Sequence, residues 1–349
     1  MSPIKTPALL LDLAGMESNL KKMARFFGEG PTRLRPHYKN HKCVALAKKQ
    51  IEYGAIGISC ATLGEAAALV KSGISSILLA NEIAGSVAIE QFAQLSREAD
   101  LIVAVDNEST VSALAAASTG INKAISVVVD IDTGMGRGGI APGKSALALA
   151  ELAAAKGLRF RGVMGYEGHC GRLPPGPDKV SATRQAMTKL VSTAKLIQSH
   201  GLSVEIVTAG GTGTYSISGR FPGVTEIQAG SYLVMDTDYR TVCADFQPAL
   251  SVLGTVISIT PGERLILDVG LKAISGERGL PTLKDLDGAR LRKLNAEHAI
   301  VDILDENLAV RVGDQIEIWA HYSDATINLH REMLGVRDGR VEEKFLLES

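Results

Sequence analysis

Apolar residues recur in short continuous runs through the first two-thirds of the chain, separated by longer stretches with helical spacing. The runs Leu34 to His37, Ala55 to Ala61, Ser76 to Asn81, Leu101 to Asp106, Ser126 to Thr133, Phe160 to Glu167, Val204 to Thr208 and Glu226 to Met235 read as strands. Between them, Val44 to Tyr53, Gly64 to Lys71, Ala84 to Glu98, the segment through Leu114, Lys144 to Lys156 and Ala182 to His200 carry a helical period. The strands are rich in β-branched residues and continuously apolar, as expected when both faces are buried. Eight such strands alternating with helices predict an α/β fold, a (β/α)8 TIM-like barrel.

Beyond Tyr239 the pattern changes. Leu250 to Thr260, Arg264 to Asp268, Ala299 to Leu304 and Gln315 to Trp319 read as strands with no long helix between them. Pro261-Gly262 and Asp338-Gly339 punctuate this part as turns. The expected organisation is a barrel over residues 28–240 and a mainly β domain over 241–349. The segment 1–27, with its extended run Ala8 to Asp12, is expected to join the second sheet.

Composition narrows the class. The chain has 349 residues, 46% of them apolar, and a formal net charge of −1 without a basic tract, which disfavours nucleic acid or an anionic membrane as partner. No apolar run is long enough to span a membrane, and Met1-Ser2-Pro3-Ile4-Lys5 leads into no apolar signal core. Four scattered cysteines, Cys43, Cys60, Cys170 and Cys243, suit neither a disulfide framework nor a paired-thiol zinc site. A cytoplasmic setting is the expectation.

The strand ends carry the candidate chemistry, because parallel-strand enzymes place it there. The first ends at Arg35-Pro36-His37-Tyr38-Lys39-Asn40-His41-Lys42, where Lys39 could form a Schiff base with an aldehyde, although most lysines are merely solvated. The seventh ends at Thr208-Ala209-Gly210-Gly211-Thr212-Gly213-Thr214 and the eighth at Gln228-Ala229-Gly230-Ser231-Tyr232. Glycines there let backbone amides approach an anion, and hydroxyls add donors. The fifth ends at Asp130-Ile131-Asp132-Thr133-Gly134-Met135-Gly136-Arg137, so Arg137 can reach into the barrel mouth or lie in solvent. Tyr166 could pack on a planar ring and His169 could act as a base; either is equally readable as a core residue.

Together these motifs resemble the D-threonine aldolase and D-serine dehydratase family, fold-type III enzymes that use pyridoxal 5′-phosphate and share their barrel with alanine racemase. The resemblance runs from Thr6-Pro7 to Gly339. It implies that Lys39 carries the cofactor, Arg137 contacts its phenolic oxygen and Tyr166 packs on its pyridine ring. Gly211, Thr212, Gly213, Gly230 and Ser231 would hold the phosphate, and Gln228 would face the pyridine nitrogen, where alanine racemase-like barrels place an arginine. A homodimer is implied as well.

Family members hold a divalent metal through a His and, two residues later, an Asp or Cys. Here Asp324-Ala325-Thr326 aligns with that motif and puts Tyr322 at the His position, with His321 one residue early. The expected metal, Mn2+ or Mg2+, would use Asp324 and His321, with His298 or His330 as further candidates. Arg172 takes a place where some relatives have a His, and could grip a second substrate carboxylate or simply be solvated.

The expected reaction is retro-aldol cleavage of a D-β-hydroxy-α-amino acid, of the D-threonine or 3-hydroxy-D-aspartate type, to glycine and an aldehyde, with catalytic roles for Lys39, His169 and Arg137. A dehydratase uses nearly the same residues and stays open. So do an amino acid racemase and a non-catalytic pyridoxal-phosphate carrier.

Overall fold

The structure, a computed structural model, describes residues 4–348; Met1, Ser2, Pro3 and Ser349, and with them the start of the signal-segment reading, lie outside the described residues. The chain forms two compact units, one spanning Lys22–Gly230 and the other joining the segment that ends at Lys21 to Ser231–Glu348. The division falls at Lys22 and Gly230 rather than at residues 28 and 240. The reason lies in the stretch after Gly230, whose side chains are claimed by the second unit. Tyr232 packs on Phe246 with ring centroids 5.6 Å apart, and Asn19 donates to the carbonyls of Leu233 and Gln247.

Strand β1 (Ala8–Asp12) leads into α1 (Leu13–Gly28). The first unit then alternates β2 (Arg33–Leu34), α2 (Val44–Glu52), β3 (Ile58–Cys60), α3 (Leu63–Lys71), β4 (Ser76–Leu79), α4 (Ser86–Leu95), β5 (Asp100–Val105), α5 (Glu108–Ile121), β6 (Ser126–Asp130) and α6 (Lys144–Ala155). It continues through β7 (Arg159–Gly165), α7 (Gly168–Gly171), α8 (Pro177–Ser199), β8 (Ile206–Ala209), α9 (Tyr215–Ser218) and β9 (Glu226–Ile227). All pairings in this sheet are parallel, in the order β2-β9-β8-β7-β6-β5-β4-β3. A parallel bridge between His37 and Ser59 joins the two end strands, with Tyr38 N donating to Ser59 O at 2.7 Å. The sheet therefore closes on itself, as the alternation predicts.

The strands are short and buried except at some of their first residues, such as Arg33, Asp100 and Arg159, and Leu78, Ile102, Ala104, Val128, Met164 and Ile206 pack as one cluster drawn from β4 to β8. A charged pair also lies inside. Arg35 donates Nε and Nη2 to the two oxygens of Glu226 at 2.9 Å each, and its Nη1 to Ser76 Oγ at 2.9 Å. Fork-to-fork geometry with the third donor also occupied is what makes such a pair tolerable away from water. Gly57 is required beside it, because a Cβ there would stand 2.3 Å from Arg35 Nη1.

The second unit contains α10 (Thr237–Arg240), β10 (Leu250–Thr260), β11 (Arg264–Leu267), β12 (Ala289–Leu294), β13 (Ala299–Ile303), β14 (Gln315–Trp319), α11 (Ser323–Ile327), β15 (Glu332–Arg337) and β16 (Arg340–Leu346). Its strand order is β12-β13-β11-β10-β1-β15-β16, with β14 on the other edge of β10. The amino-terminal strand sits within this sheet, antiparallel to β10 (Leu9 opposite Val252) and parallel to β15 (Leu10 opposite Leu334). Among the described residues no helix is long and apolar enough to cross a membrane.

Candidate active site

The site is assembled at the carboxyl ends of the barrel strands. The loop after β2 is held by its own side chains. His41 accepts from the Cys43 amide through Nδ1 at 3.2 Å and pairs through Nε2 with Gln50 Oε1 at 3.2 Å, and burial lowers its pKa to about 4. It is a neutral structural residue. Lys39 stands exposed between this anchor and His37, whose Nδ1 faces the Lys39 amide at 3.4 Å. Burial, then the charges of Lys39, His41 and Arg137, push His37 well below the ordinary imidazole range. Lys39 and Arg137 thus converge on one imidazole from different loops.

Glu65, at the start of α3, closes the far side of this loop. Thr62 caps the helix by accepting the Glu65 amide at 3.1 Å, while the Glu65 carboxylate accepts the Ala61 amide at 2.7 Å, a reciprocal capping arrangement. Burial raises its pKa against the opposing pull of the Ala61 amide and of Lys42 and Lys39.

The hairpin after β6 is set by Asp132, whose Oδ1 accepts the amides of Gly134 and Gly136 at 2.9 and 3.1 Å. Those bonds hold its pKa below the usual carboxylate value. The hairpin carries the Arg137 guanidinium to 5.4 Å from the centroid of the Tyr166 ring, within range of a cation–π contact. Tyr166 in turn lies against the turn after β8, where a Cβ on Gly211 would come within 3.2 Å of its ring. Exposed His169 faces the same hairpin, its Nε2 3.4 Å from where Gly134 would place a Cβ.

The Gly210–Thr214 turn hangs from Glu167, a fully buried carboxylate. Its Oε2 accepts the Gly210 amide at 3.1 Å, and its Oε1 accepts the hydroxyls of Thr214, at 2.7 Å, and Ser218. The turn is close-packed on several sides. Gly213 lies against Gly171, where a Cβ would meet Gly171 O at 2.6 Å, and Gly230 lies against His37, where a Cβ would meet His37 O at 2.5 Å. Gln228 follows β9 and donates Nε2 to Thr208 Oγ1 at 3.1 Å.

Lys39, Arg137, Tyr166, His169, Gly211, Thr212, Gly213, Gln228 and Gly230 thus all belong to one set of strand-end loops in the barrel unit. Ser231 begins the second unit, and its carbonyl accepts the Met235 amide at 2.8 Å. Arg172 caps the short α7 and is exposed. Sequence reasoning gave no role to Glu167, although its place after a strand end was visible.

His321 and Asp324 lie in the second unit. His321 Nδ1 pairs with Thr237 Oγ1 at 2.8 Å, and its Nε2 lies 3.4 Å from where Gly279 would place a Cβ. Tyr322 caps α11 beneath the Arg278 guanidinium, which lies 4.3 Å from its ring centroid and 3.4 Å from Asp238. Asp236 anchors this loop by accepting the amide and hydroxyl of Ser323 at 2.7 Å each. His330 is engaged with Ala273 O at 2.7 Å. Among the described residues no three His, Cys, Asp or Glu side chains stand together as a metal site.

Comparison with known proteins agrees with this layout. Residues 11–238 match the alanine racemase N-terminal domain family, and residues 249–336 match a serine dehydratase domain. The chain is 35% identical over 348 residues to a D-threonine aldolase of Arthrobacter sp., covering 98% of this chain and 92% of that one. It is 31% identical over 353 residues to a 3-hydroxy-D-aspartate aldolase of Paracoccus denitrificans, covering 98% and 91%. The crystal structure of a D-threonine aldolase from Filomicrobium marinum superposes with a TM-score of 0.95 at 33% identity, over 99% of this chain and 95% of that one.

Proposed function

The chain belongs to the D-threonine aldolase and D-serine dehydratase-like family built on the alanine racemase N-terminal domain, and on that footing we propose a pyridoxal 5′-phosphate-dependent lyase. Its reaction is retro-aldol cleavage of a D-β-hydroxy-α-amino acid, of the D-threonine or 3-hydroxy-D-aspartate type, to glycine and an aldehyde. The observation that carries the reading is the barrel mouth itself: exposed Lys39, Arg137 set over Tyr166, and a glycine cradle suspended from Glu167.

These residues fit the cofactor. The amine of Lys39 suits its aldehyde, and the Tyr166 ring offers an aromatic face to its pyridine. Gly211, Thr212, Gly213, Gly230 and Ser231 suit its phosphate, because glycine backbone amides and hydroxyls are the donor set an anion takes. When bound, the cofactor supplies an electron sink for the carbanion left as the Cα–Cβ bond breaks.

The chain's own groups do the rest. Arg137 donates to the cofactor's phenolic oxygen and keeps positive charge at the mouth. His37, held neutral, adds no charge beside Lys39 and orients its backbone. His169 is the base that takes the β-hydroxyl proton, so that the electron pair of that oxygen can form the aldehyde carbonyl. Gln228 faces the pyridine nitrogen as a neutral donor, which limits charge delocalisation and with it side reactions. Arg172 reaches a second carboxylate when the substrate has one.

A divalent metal is implied by the family, and the donor set of this loop does not fit one. Tyr322 stands at the His position, His321 Nδ1 is taken by Thr237, and among the described residues no three His, Cys, Asp or Glu side chains stand together to hold an ion. No step is routed through a metal.

Dehydration is the second reading, favoured by the serine dehydratase domain match at residues 249–336. Purified protein supplied with the cofactor and incubated with D-threonine, D-serine and D-3-hydroxyaspartate separates the readings. Glycine plus aldehyde supports the aldolase; an oxo acid plus ammonia, an inverted amino acid, or no turnover on any substrate refutes it. A cytoplasmic homodimer acting on small D-amino acids completes the reading, and sizing chromatography tests the oligomeric state.

A further inference from the structure

The loop 320–324, where the family would hold a divalent ion, is fastened to the start of α10 in one register. The Thr237 amide donates to Ala320 O and the Asp238 amide to His321 O, at 3.2 Å each, and the Thr237 hydroxyl pairs with His321 Nδ1 at 2.8 Å. Further along, Asp236 Oδ2 accepts the amide and the hydroxyl of Ser323 at 2.7 Å each, and both residues are buried. A shift of one residue, which would bring His321 to the place of Tyr322, breaks all of these bonds together. It also strands part of a buried carboxylate, which is costly.

Beside Tyr322 the chain seats a cation of its own. The Arg278 guanidinium lies 4.3 Å from the Tyr322 ring centroid, inside the range of a cation–π contact, and its Nη1 stands 3.4 Å from Asp238 Oδ2. The turn that carries Arg278 is built on α11. The Ser275 amide donates to Thr326 Oγ1, the Glu277 amide to Ser275 Oγ and the Gly279 amide to Gly276 O, at 3.2 Å each. Gly279, with φ +127°, passes beside His321, where a Cβ would fall 3.4 Å from Nε2. A guanidinium keeps its charge at every working pH. It therefore repels a second cation seated on Tyr322 and Asp324, and it engages Asp238, a carboxylate that such an ion would recruit.

We propose that this loop takes no divalent ion: the Arg278–Tyr322 pair keeps the ion out and supplies a fixed positive charge in its stead. A guanidinium has no coordination positions to fill and attracts an oxygen anion through its N–H groups. The use of that charge in the reaction rests on the lyase reading; the exclusion of the ion does not.

Two arms test these parts separately. In the first, Mn2+ uptake by the protein without cofactor is followed by electron paramagnetic resonance of the free ion. The proteins are wild type, Asp324→Asn, and Tyr322→His combined with either Arg278→Ala or Arg278→Met, the second form keeping the bulk of the arginine stem. Wild type and Asp324→Asn should leave the ion free up to about 1 mM, while a combined variant takes up one ion at least about tenfold more tightly. Uptake of an ion by wild type near about 10 μM, abolished in Asp324→Asn, would overturn the exclusion. So would folded combined variants that bind no better than wild type.

In the second arm, kcat of the cofactor-loaded protein is compared among wild type, Arg278→Ala and Arg278→Lys, with and without added guanidinium ion at non-denaturing concentration. Arg278→Ala should lose about tenfold or more, and the Lys variant or the added ion should restore part of it. A kcat equal to wild type, or a loss that neither restores, would overturn the use of the charge. Failure of wild type to turn over any substrate would remove the lyase reading and that use with it, while the Mn2+ result stands by itself.

Discussion

Thr214 donates its hydroxyl to Glu167 Oε1 over 2.7 Å, and both residues are buried. The same carboxylate takes the Gly210 amide and the Ser218 hydroxyl, so one acidic side chain fixes both ends of the turn assigned to the phosphate. Glu167→Ala strands those donors, at about 1–3 kcal/mol for each one left without a partner. We expect a lower melting temperature and a pyridoxal-phosphate affinity at least about tenfold weaker, with a smaller loss for Glu167→Gln. Unaltered affinity in the alanine variant, measured by fluorescence titration, would show that the turn does not hold the phosphate.

Arg35 and Glu226 make the second relationship on which the barrel depends. Removing one partner leaves a buried charge uncompensated, which costs about 3–5 kcal/mol. Urea unfolding of Glu226→Ala should register a loss of that size. Replacing both residues by apolar side chains should recover part of it, and a single variant as stable as wild type would contradict the reading of this pair.

The buried His41 sets an acid limit. Its folded pKa of about 4 lies below the ordinary 6.5, so the unfolded chain binds its proton first as pH falls. The stabilisation is complete above about pH 6.5 and lost progressively toward pH 4, up to about 3 kcal/mol. Asp130 acts in the opposite sense: burial raises its pKa, so its contribution to stability declines as pH rises. The quantity to read is therefore the difference between wild type and His41→Asn in unfolding series over pH. That difference should shrink toward acid, and a constant difference would exclude the titration of His41 as its source.

Chelation tests the second unit. With Tyr322 in the His position and His321 tied to Thr237, exhaustive chelator treatment should leave cleavage within about twofold of untreated enzyme. Abolished activity that Mn2+ restores would mean that this loop rearranges to bring His321 and Asp324 onto an ion.

The barrel was readable because burial on both faces forces unbroken apolar strands, as in Ser126–Asp130, and the helices between them keep a clear period. Boundaries were less readable. The helix over Pro177–Ser199 starts five residues before its apolar stripe, since a proline at its first turn costs nothing there. The edge strands Ala289–Leu294 and Arg340–Leu346, and the strand Glu332–Arg337 beside the latter, are not legible in the sequence because their charged residues hide the alternation. At the site, Lys39, Arg137 and the glycine turns announce themselves by composition. Glu167 does not: a lone glutamate past a strand end reveals its partners only when the fold brings Gly210 and Thr214 beside it.

Borohydride reduction of the pyridoxal-phosphate-loaded protein, followed by peptide mass spectrometry, tests the account at its centre. The account predicts a phosphopyridoxyl group on the peptide containing Lys39, and its absence from Lys39→Ala. A protein that stays colourless with cofactor and yields no adduct, or yields one on a different lysine, would contradict it.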